Sequence, residues 1–322
     1  MAGDPRKVAL MRTMMNATNE RQARRMRADQ EELADRIARA VPRDGEIEPQ
    51  PGLHLRRCSK PSEPLHSFCQ STFCVVAQGA NEFVLGADRF RYDPEHYMIC
   101  TVELPFIGQI IEASPERPYL GLWMDLTPSV VTSVMMESGI VQSRGDGSDV
   151  KSVDVSPLDA NRLDATLRLV RLTEAPGEYR VLAPLVIREI VYRLLTGAQA
   201  HRMRHLATVG GQTHRMVRAV EKLRENFNKP LRIESVAREL GMSVSGFHAH
   251  FRTVTAMSPL QFQKQLRLQE ARRLMLSEDL DAAEAGFRVG YDDASYFNRE
   301  YKRYFGAPPM RDVERLRELA AA

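Results

Sequence analysis

Two stretches near the C-terminus carry side chains whose chemistry matches the edges of nucleic-acid bases. The first opens at Ser243 and turns Ser245, His248, Ala249 and Arg252 away from an apolar pair, Phe247 and Phe251. The second opens at Asp292 or Asp293 and turns Ser295, Asn298, Arg299 and Lys302 away from Phe297, Tyr301 and Tyr304. A guanidinium fork fits O6 and N7 of guanine, and a carboxamide fits N6 and N7 of adenine. Each such pair contributes ~1–3 kcal/mol of discrimination. Arg299 and Asn298 are the candidates for these roles. Arg252, Lys302 and Arg303 suit phosphate, a contact that positions a protein without specifying sequence.

Reading bases requires that these side chains project from a helix free on one side. Each stretch is preceded by a short helical pattern and a glycine. Val236, Ala237 and Leu240 form the inner face of the first, and Gly241 makes the turn. Ser243 is suited to cap the next helix, since its hydroxyl accepts from a free backbone N–H. The second unit repeats this with Gly290 as the turn and Asp292 or Asp293 as the cap. The spacing predicts helix-turn-helix units over about 233–254 and 281–305. Between them Pro259 to Leu276 reads as one helix, about 25 Å long at ~1.5 Å per residue. That length can set two reading helices one duplex turn apart, ~34 Å, in adjacent major grooves.

With 322 residues the chain is expected to form about two domains. The net charge of +3 is unevenly divided. From Gly210 to the end there are nineteen Lys and Arg against fifteen Asp and Glu; from Pro51 to Val150 there are seven against twelve. The basic tail supports contact with nucleic acid. Gly210-Gly211 marks the domain boundary, giving a DNA-binding domain over 210–322. Residues 1–28 are expected to be a disordered extension. They contain no apolar core of a secretory signal, and no run in the chain is long enough to span a bilayer. A cytoplasmic protein is expected.

Residues 29–209 read as a second domain. Leu33, Ile37 and Val41 form one helical stripe, and prolines and glycines from Pro42 to Gly52 read as a linker. From about 53 to 126, short runs rich in β-branched and aromatic residues alternate with turn signals, which predicts an antiparallel barrel or sandwich. Pro128 to Glu137 reads as a short helix and Arg144 to Asp149 as a polar loop. Longer helices are expected over Leu158 to Thr173 and from Pro184, placed in a first turn, to a stop at Gly197. These two helices are the expected homodimer contact or relay to the tail.

The tail resembles the DNA-binding domain of AraC-type (AraC/XylS family) transcription regulators. The resemblance rests on Val236-Ala-x-x-Leu-Gly-Met-Ser, Met257-Ser-Pro, Leu266-Arg-Leu-x-x-Ala-Arg-Arg-Leu-Met and Val289-Gly-Tyr-x-x-x-Ser-Tyr-Phe-x-Arg-x-Tyr-Lys-Arg-Tyr-Phe-Gly, with Pro309 beyond. The N-terminal half is similar to one branch of that family through Phe73-Cys-Val-Val-Ala-Gln-Gly, Arg91-Tyr-Asp-Pro-Glu-His-Tyr and Glu112-Ala-Ser-Pro-Glu-Arg-Pro-Tyr. The resemblance implies an α+β chain: a cupin-like antiparallel β-barrel that senses a ligand, followed by an all-α domain with two helix-turn-helix motifs. It also implies promoter or operator DNA as partner, with RNA polymerase as a further one.

The chain departs from the family's usual pattern in three places. Ser245 and Ala249 stand where larger polar groups are usual, leaving His248 and Arg252 as the sizeable groups of the first reading face. Ala282, Ala285 and Gly286 replace bulkier core residues, and a glycine inside a helix costs roughly 1 kcal/mol relative to alanine. Asp312-Val313 replaces Tyr-Arg and is expected to alter only end packing. The second unit is therefore expected to supply more base specificity and the first more anchoring, on a sounder core.

For an effector, Phe73, Tyr92 and Tyr97, with Phe83 and Trp123, are candidate pocket walls, and Arg91 and His96, with Arg89, candidate anion contacts. The competing reading is that these aromatics are core and these arginines solvated. His54, His66 and His96 are scattered, without a His-x-His pair, so no metal or other cofactor is expected and catalysis has little support. The alternative class is a cupin-type metal protein or enzyme with a helical interaction module. A constitutive DNA-binding protein whose barrel binds only its twin is a third reading. Cys58, Cys69, Cys74 and Cys100 read as small buried hydrophobes, with a Cys69/Cys74 thiol sensor as the sharper alternative.

Overall fold

The Leu33, Ile37 and Val41 stripe is the inner face of the first helix, α1 (Pro5–Ala40), and all three side chains are buried. The computed structural model describes the backbone of residues 5–140, 151–207 and 212–321. The polar loop expected at Arg144 to Asp149 and the boundary at Gly210-Gly211 lie outside the described residues. The extension expected to be disordered to residue 28 is instead helix from Pro5 onward. Its later part is held by charge: Arg25 meets Asp164 at 2.8 Å, and four residues beyond the extension Glu32 receives Arg171 at 2.6 Å.

The expected linker also contains a strand. β1 (Gly45–Gln50) pairs with β2 (Leu53–Cys58), and Gly52 makes the connection at φ 78°. β3 (Leu65–Cys69), β4 (Thr72–Gln78), β5 (Ala80–Leu85), β6 (Asp88–Tyr92), β7 (His96–Cys100), β8 (Leu104–Glu112) and β9 (Tyr119–Asp125) follow. Then come α2 (Pro128–Glu137) and β10 (Val153–Pro157). The strands are antiparallel and form two sheets, ordered β1-β2-β9-β4-β7-β10 and β3-β8-β5-β6. The cupin-like domain is thus an open pair of facing sheets; the barrel does not close.

The larger sheet is covered on both faces. On one side Leu53, Leu55, Phe73, Val75, Tyr97 and Ile99 pack on α1 and on α3 (Ala160–Leu172). On the other, Cys74, Val76 and Met98 face the smaller sheet. α4 (Pro176–Leu195) begins eight residues before Pro184, contrary to the start expected there. Pro176 takes the first turn, and Pro184 sits in the interior on the exposed side, with Ala183 and Val186 buried beside it.

The second domain is all-helical. After α5 (Ala200–Ala207) come α6 (Gln212–Glu225), α7 (Ile233–Glu239), α8 (Val244–Thr255), α9 (Pro259–Ser277), α10 (Ala282–Arg288), α11 (Ala294–Phe305) and α12 (Pro309–Ala321). The caps are the expected ones: the Ser243 hydroxyl accepts from the N–H of Gly246 at 3.1 Å, and the Asp293 carboxylate accepts from that of Tyr296. Gly241 and Gly290 take φ values of 65° and 93°, the left-handed turn that glycine allows without steric cost. α9 opens with a full capping box, in which Ser258 and Gln261 satisfy each other's backbone N–H.

Candidate nucleic-acid interface and sensor cavity

α8 and α11 each bury an aromatic edge and leave the opposite edge in water. Phe247 and Phe251 are fully buried with their rings 5.5 Å apart, as are Phe297 and Tyr301 at 5.6 Å. On the outer edge of α8, Ser245, Ala249 and Arg252 are exposed and His248 is half-buried. On that of α11, Ser295, Asn298, Arg299, Lys302 and Arg303 are all exposed.

The basic groups on these edges are not equivalent. The Arg299 guanidinium lies 5.9 Å from the ring centroid of Tyr296, an exposed aromatic that cation–π attraction uses to orient it. Arg303 pairs instead with Glu300 at 3.1 Å, and Glu300 also holds Lys264 of α9. Among the described residues no carboxylate pairs with Arg252, Arg299 or Lys302, so their charge is available to a polyanion. Tyr296 was not visible as part of the face, because an aromatic one residue before a core phenylalanine reads as core.

The core beneath α11 corrects two expectations. A Cβ on Gly286 would stand 3.0 Å from the Phe297 ring, so the glycine lets α10 close on α11 rather than loosening it. Asp312 is no mere end contact. It is completely buried, accepts from the Tyr301 hydroxyl at 2.9 Å and pairs with Arg272 of α9 at 2.8 Å. Burial, followed by the Asp312 charge, pushes the Tyr301 phenol well above its usual range.

Between the two sheets of the first domain lies a cavity of about 340 Å³. Of the five expected effector contacts only Tyr92 lines it. Phe73 and Tyr97 point to the opposite face, 5.6 Å apart in the core against the helices, because neighbours along a strand alternate sides. Arg91 is exposed and paired with Glu112 at 2.6 Å, and His96 hydrogen-bonds Asp93 at 2.7 Å. Arg89 likewise pairs with Glu82. Phe83 and Trp123 do line the cavity, where Phe83 stacks on Phe106 and Trp123 on His54. Its polar groups include Arg56, Asn81 and Tyr119, which the sequence reading missed. The alternation Leu53-His-Leu-Arg56 was the available signal, since it sends Arg56 to the side opposite the helix-packed leucines.

Cys69 and Cys74 also border the cavity. Burial pushes the Cys74 thiol up to about 12, and the neighbouring Cys100 thiol, with burial, raises Cys69 well above the usual thiol range. Such thiols are poor nucleophiles. Among the described residues no three His, Cys, Asp or Glu side chains converge as metal ligands.

The cavity wall and the helical domain share one strand. Leu65, Ser67, Phe68 and Cys69 of β3 line the cavity. From the same strand the His66 ring packs 4.5 Å from Tyr304 and 4.8 Å from Phe305, at the end of α11. The Ser67 carbonyl accepts from Gln269 at 3.4 Å, and Arg224 covers Phe68 at 5.7 Å. Burial, followed by the Arg272 charge, holds the His66 imidazole down at about 4. The first unit touches the sensor elsewhere. Ser152 donates to the Val254 carbonyl at 2.6 Å, and Gly86 abuts the Ala256 carbonyl, leaving no room for a Cβ.

Comparison with known proteins agrees with this architecture. Residues 49–202 match the family model described as AraC-type transcriptional regulator N-terminus, and 236–315 match a helix-turn-helix domain. The virulence regulon transcriptional activator VirF of Yersinia enterocolitica is 25% identical over 220 residues, covering 65% of this chain and 77% of that protein. The MmsAB operon regulatory protein of Pseudomonas aeruginosa is 30% identical over 96 residues, 30% of this chain and 31% of that protein. ToxT of Vibrio cholerae has a similar fold, with a TM-score of 0.55 at 10% identity over 81% of this chain and 97% of that one. A second ToxT structure, described as bound to an unsaturated fatty acid, gives 0.53 at 8% identity over 83% and 96%.

Proposed function

Because the chain belongs to the AraC-type family of transcription regulators, we propose that this DNA-binding regulator sets α8 and α11 into adjacent major grooves of one duplex. The observation that carries the reading is the pair of exposed outer edges with uncommitted cations at Arg252, Arg299 and Lys302. α9, with 19 residues and ~28 Å of helix, is the spacer. Asn298 and Arg299 read bases. His248 and Ser295 make lesser base-edge contacts, Ser245 and Ala249 admit the backbone closely, and Arg252, Lys302 and Arg303 contact phosphate.

The regulator responds to a small-molecule effector held in the cavity between the sheets. β3 carries the response, because cavity wall and helical domain share its residues. ToxT, whose fold is similar, is described as bound to an unsaturated fatty acid, which supports an effector-binding reading. The protein acts in the cytoplasm, as a homodimer, without enzymatic activity or cofactor, and with RNA polymerase as a further contact. Val181 and Leu185 of α4 are 67% and 61% exposed and lie one turn apart, with Tyr192 further along the helix. They form an apolar face of the kind a twofold partner covers. Among the described residues no helix is long and apolar enough to cross a membrane.

Selection of bound duplexes from a random pool tests the reading. The expected product is a site with two conserved blocks about one helical turn apart, ~10 base pairs, bound more weakly as salt rises. Recovery of no preferred sequence would remove the claim of two reading helices. Metal analysis of the pure protein tests the metal-protein alternative, which stoichiometric zinc, iron or manganese would favour.

A further inference from the structure

The cavity contains a cation that its surroundings do not neutralise. Arg56 lies on β2 opposite Gly121 of β9. The Tyr119 hydroxyl lies over that glycine, so close that a Cβ there would stand 2.4 Å away. The phenol therefore sits beside the guanidinium. Asn81 donates to the same hydroxyl at 3.4 Å, while its own side-chain oxygen is buried with no partner. Tyr92, also a lining residue, completes the group. Burial pushes Tyr119 up to about 12 and Tyr92 well above its usual range, so both phenols stay protonated donors.

The charges facing Arg56 leave it unmatched. Glu46 is its neighbour across the β1–β2 ladder but is directed to His54 at 3.8 Å. Asp125 also borders the cavity, and burial raises its carboxyl, with His54 the nearby opposing charge. Among the described residues no carboxylate pairs with Arg56. A partly buried guanidinium normally has an anionic or fully hydrogen-bonded partner, since desolvation of an unpaired charge is costly. The lining also holds polar groups such as Gln70, Thr72 and Gln109, and an apolar wall made by the stacked Phe83 and Phe106 with Met98, Leu122 and Trp123.

We propose that the cavity binds a small amphipathic monocarboxylate, with its carboxylate on Arg56 and the Tyr119, Tyr92 and Asn81 donors and its apolar body against Phe83, Phe106 and Trp123. One guanidinium with hydroxyl and amide donors matches at most a single negative charge, and Glu46 and Asp125 on the same lining weigh further against a phosphate dianion, which favours a carboxylate. A volume near 340 Å³ is at the low end of ligand pockets, ~300–1,000 Å³, and restricts the ligand to a short chain or a single ring with a short arm. The inference rests on the effector-sensing role of this cavity and specifies the ligand class for it.

Titration calorimetry on the full chain compares matched pairs: octanoate with octan-1-ol, and 3-phenylpropionate with 3-phenylpropan-1-ol. The acid of at least one pair is expected to bind about tenfold or more tightly than its alcohol, as one charge-assisted hydrogen bond would give. Arg56→Gln should abolish that preference and Arg56→Lys should keep most of it. Unchanged affinity for selected duplex DNA certifies that both variants are folded. Binding of no acid, equal binding of acids and alcohols, or an Arg56→Gln variant that still prefers the acid would overturn the proposal. Acid binding that leaves DNA affinity unmoved would instead sink the sensing role and leave the ligand class standing. Alcohols that bind equally well and do shift DNA affinity would do the reverse.

Discussion

The two helix-turn-helix units follow one plan but are closed differently. At the first turn, Gly241 has open space where a side chain would stand; at the second, the Asn228 carbonyl is 2.2 Å from that point on Gly290. The first reading helix ends on Ala256, a non-glycine residue at φ 58°, and the second on Gly306 at φ 84°. Beneath the first lie apolar and hydroxyl groups such as Val236, Phe247, Phe262 and Thr255; beneath the second lies the Tyr301–Asp312–Arg272 network. A unit with an open turn and a sparse face thus stands beside one with a closed turn and a rich face. Gly286, the reason to expect a weaker second core, instead lets the Phe297 ring pack closely. It joins rigidity to the face that carries Asn298 and Arg299, where misplacement of a reading group would cost most.

The largest test of this contrast is Asp312→Ala. It strands the mostly buried Arg272 and should lower stability by ~3–5 kcal/mol in chemical denaturation; a loss under ~1 kcal/mol would show the network to be dispensable. Next is the matched pair Gly290→Ala and Gly241→Ala. Both incur left-handed strain of ~1 kcal/mol, but only the first adds a backbone clash, for a total of ~2–4 kcal/mol. Equal losses would erase the difference between the turns.

At the level of reading, Arg299→Ala should weaken binding to a selected site by ~1–3 kcal/mol and relax base preference at one position. Arg252→Ala should weaken all duplexes alike and reduce the salt slope by about one. A reversal of these two patterns would exchange the roles of the units. Ala256→Gly should be slightly stabilising, by ~0.5–1 kcal/mol, and Gly306 leaves no equivalent gain in the second unit.

A further test concerns docking to the sensor and depends on pH. His66 sits at about 4 when packed on α11 and returns towards the ordinary ~6.5 when exposed. The separated form therefore takes up a proton that the docked form refuses. Docking is complete above about pH 6.5 and weakens as pH falls towards 4. The first unit docks through Ser152 and Gly86, neither of which titrates in that range. Hydrogen exchange at pH 7 and pH 5 should show acid-induced opening at Tyr304 and Phe305 and none at Val254; opening that persists in His66→Gln would assign it to another group.

The helical domain was legible because its signals are local. A cap such as Ser243, a turn glycine such as Gly290 and the pair Phe247–Phe251 each act within a few residues. The sensor was legible in its strands but not in its cavity. β4 is buried on both faces from Thr72 to Ala77, so hydrophobicity along it does not alternate, and nothing local tells Phe73 from Cys74. Which of them meets a ligand depends on which sheet face the helices cover, a non-local fact. Pro184 misled for a related reason: proline favours a first turn on average, yet an exposed helix flank tolerates it once Pro176 has started the helix. Asp312 was misjudged because its partners, Tyr301 and Arg272, lie on two other helices.

Strand β3 has only five residues and sits at a sheet edge, with β8 as its one strand neighbour among the described residues, yet it borders both the cavity and the reading domain. In evolutionary terms the two properties are inherited together. A change at Ser67 or Phe68 that admits a new ligand also alters what that ligand transmits, while changes at Phe83 or Trp123 alter the ligand alone. Diversification of such a regulator therefore has two routes of unequal risk, and the safer one runs through cavity residues outside β3.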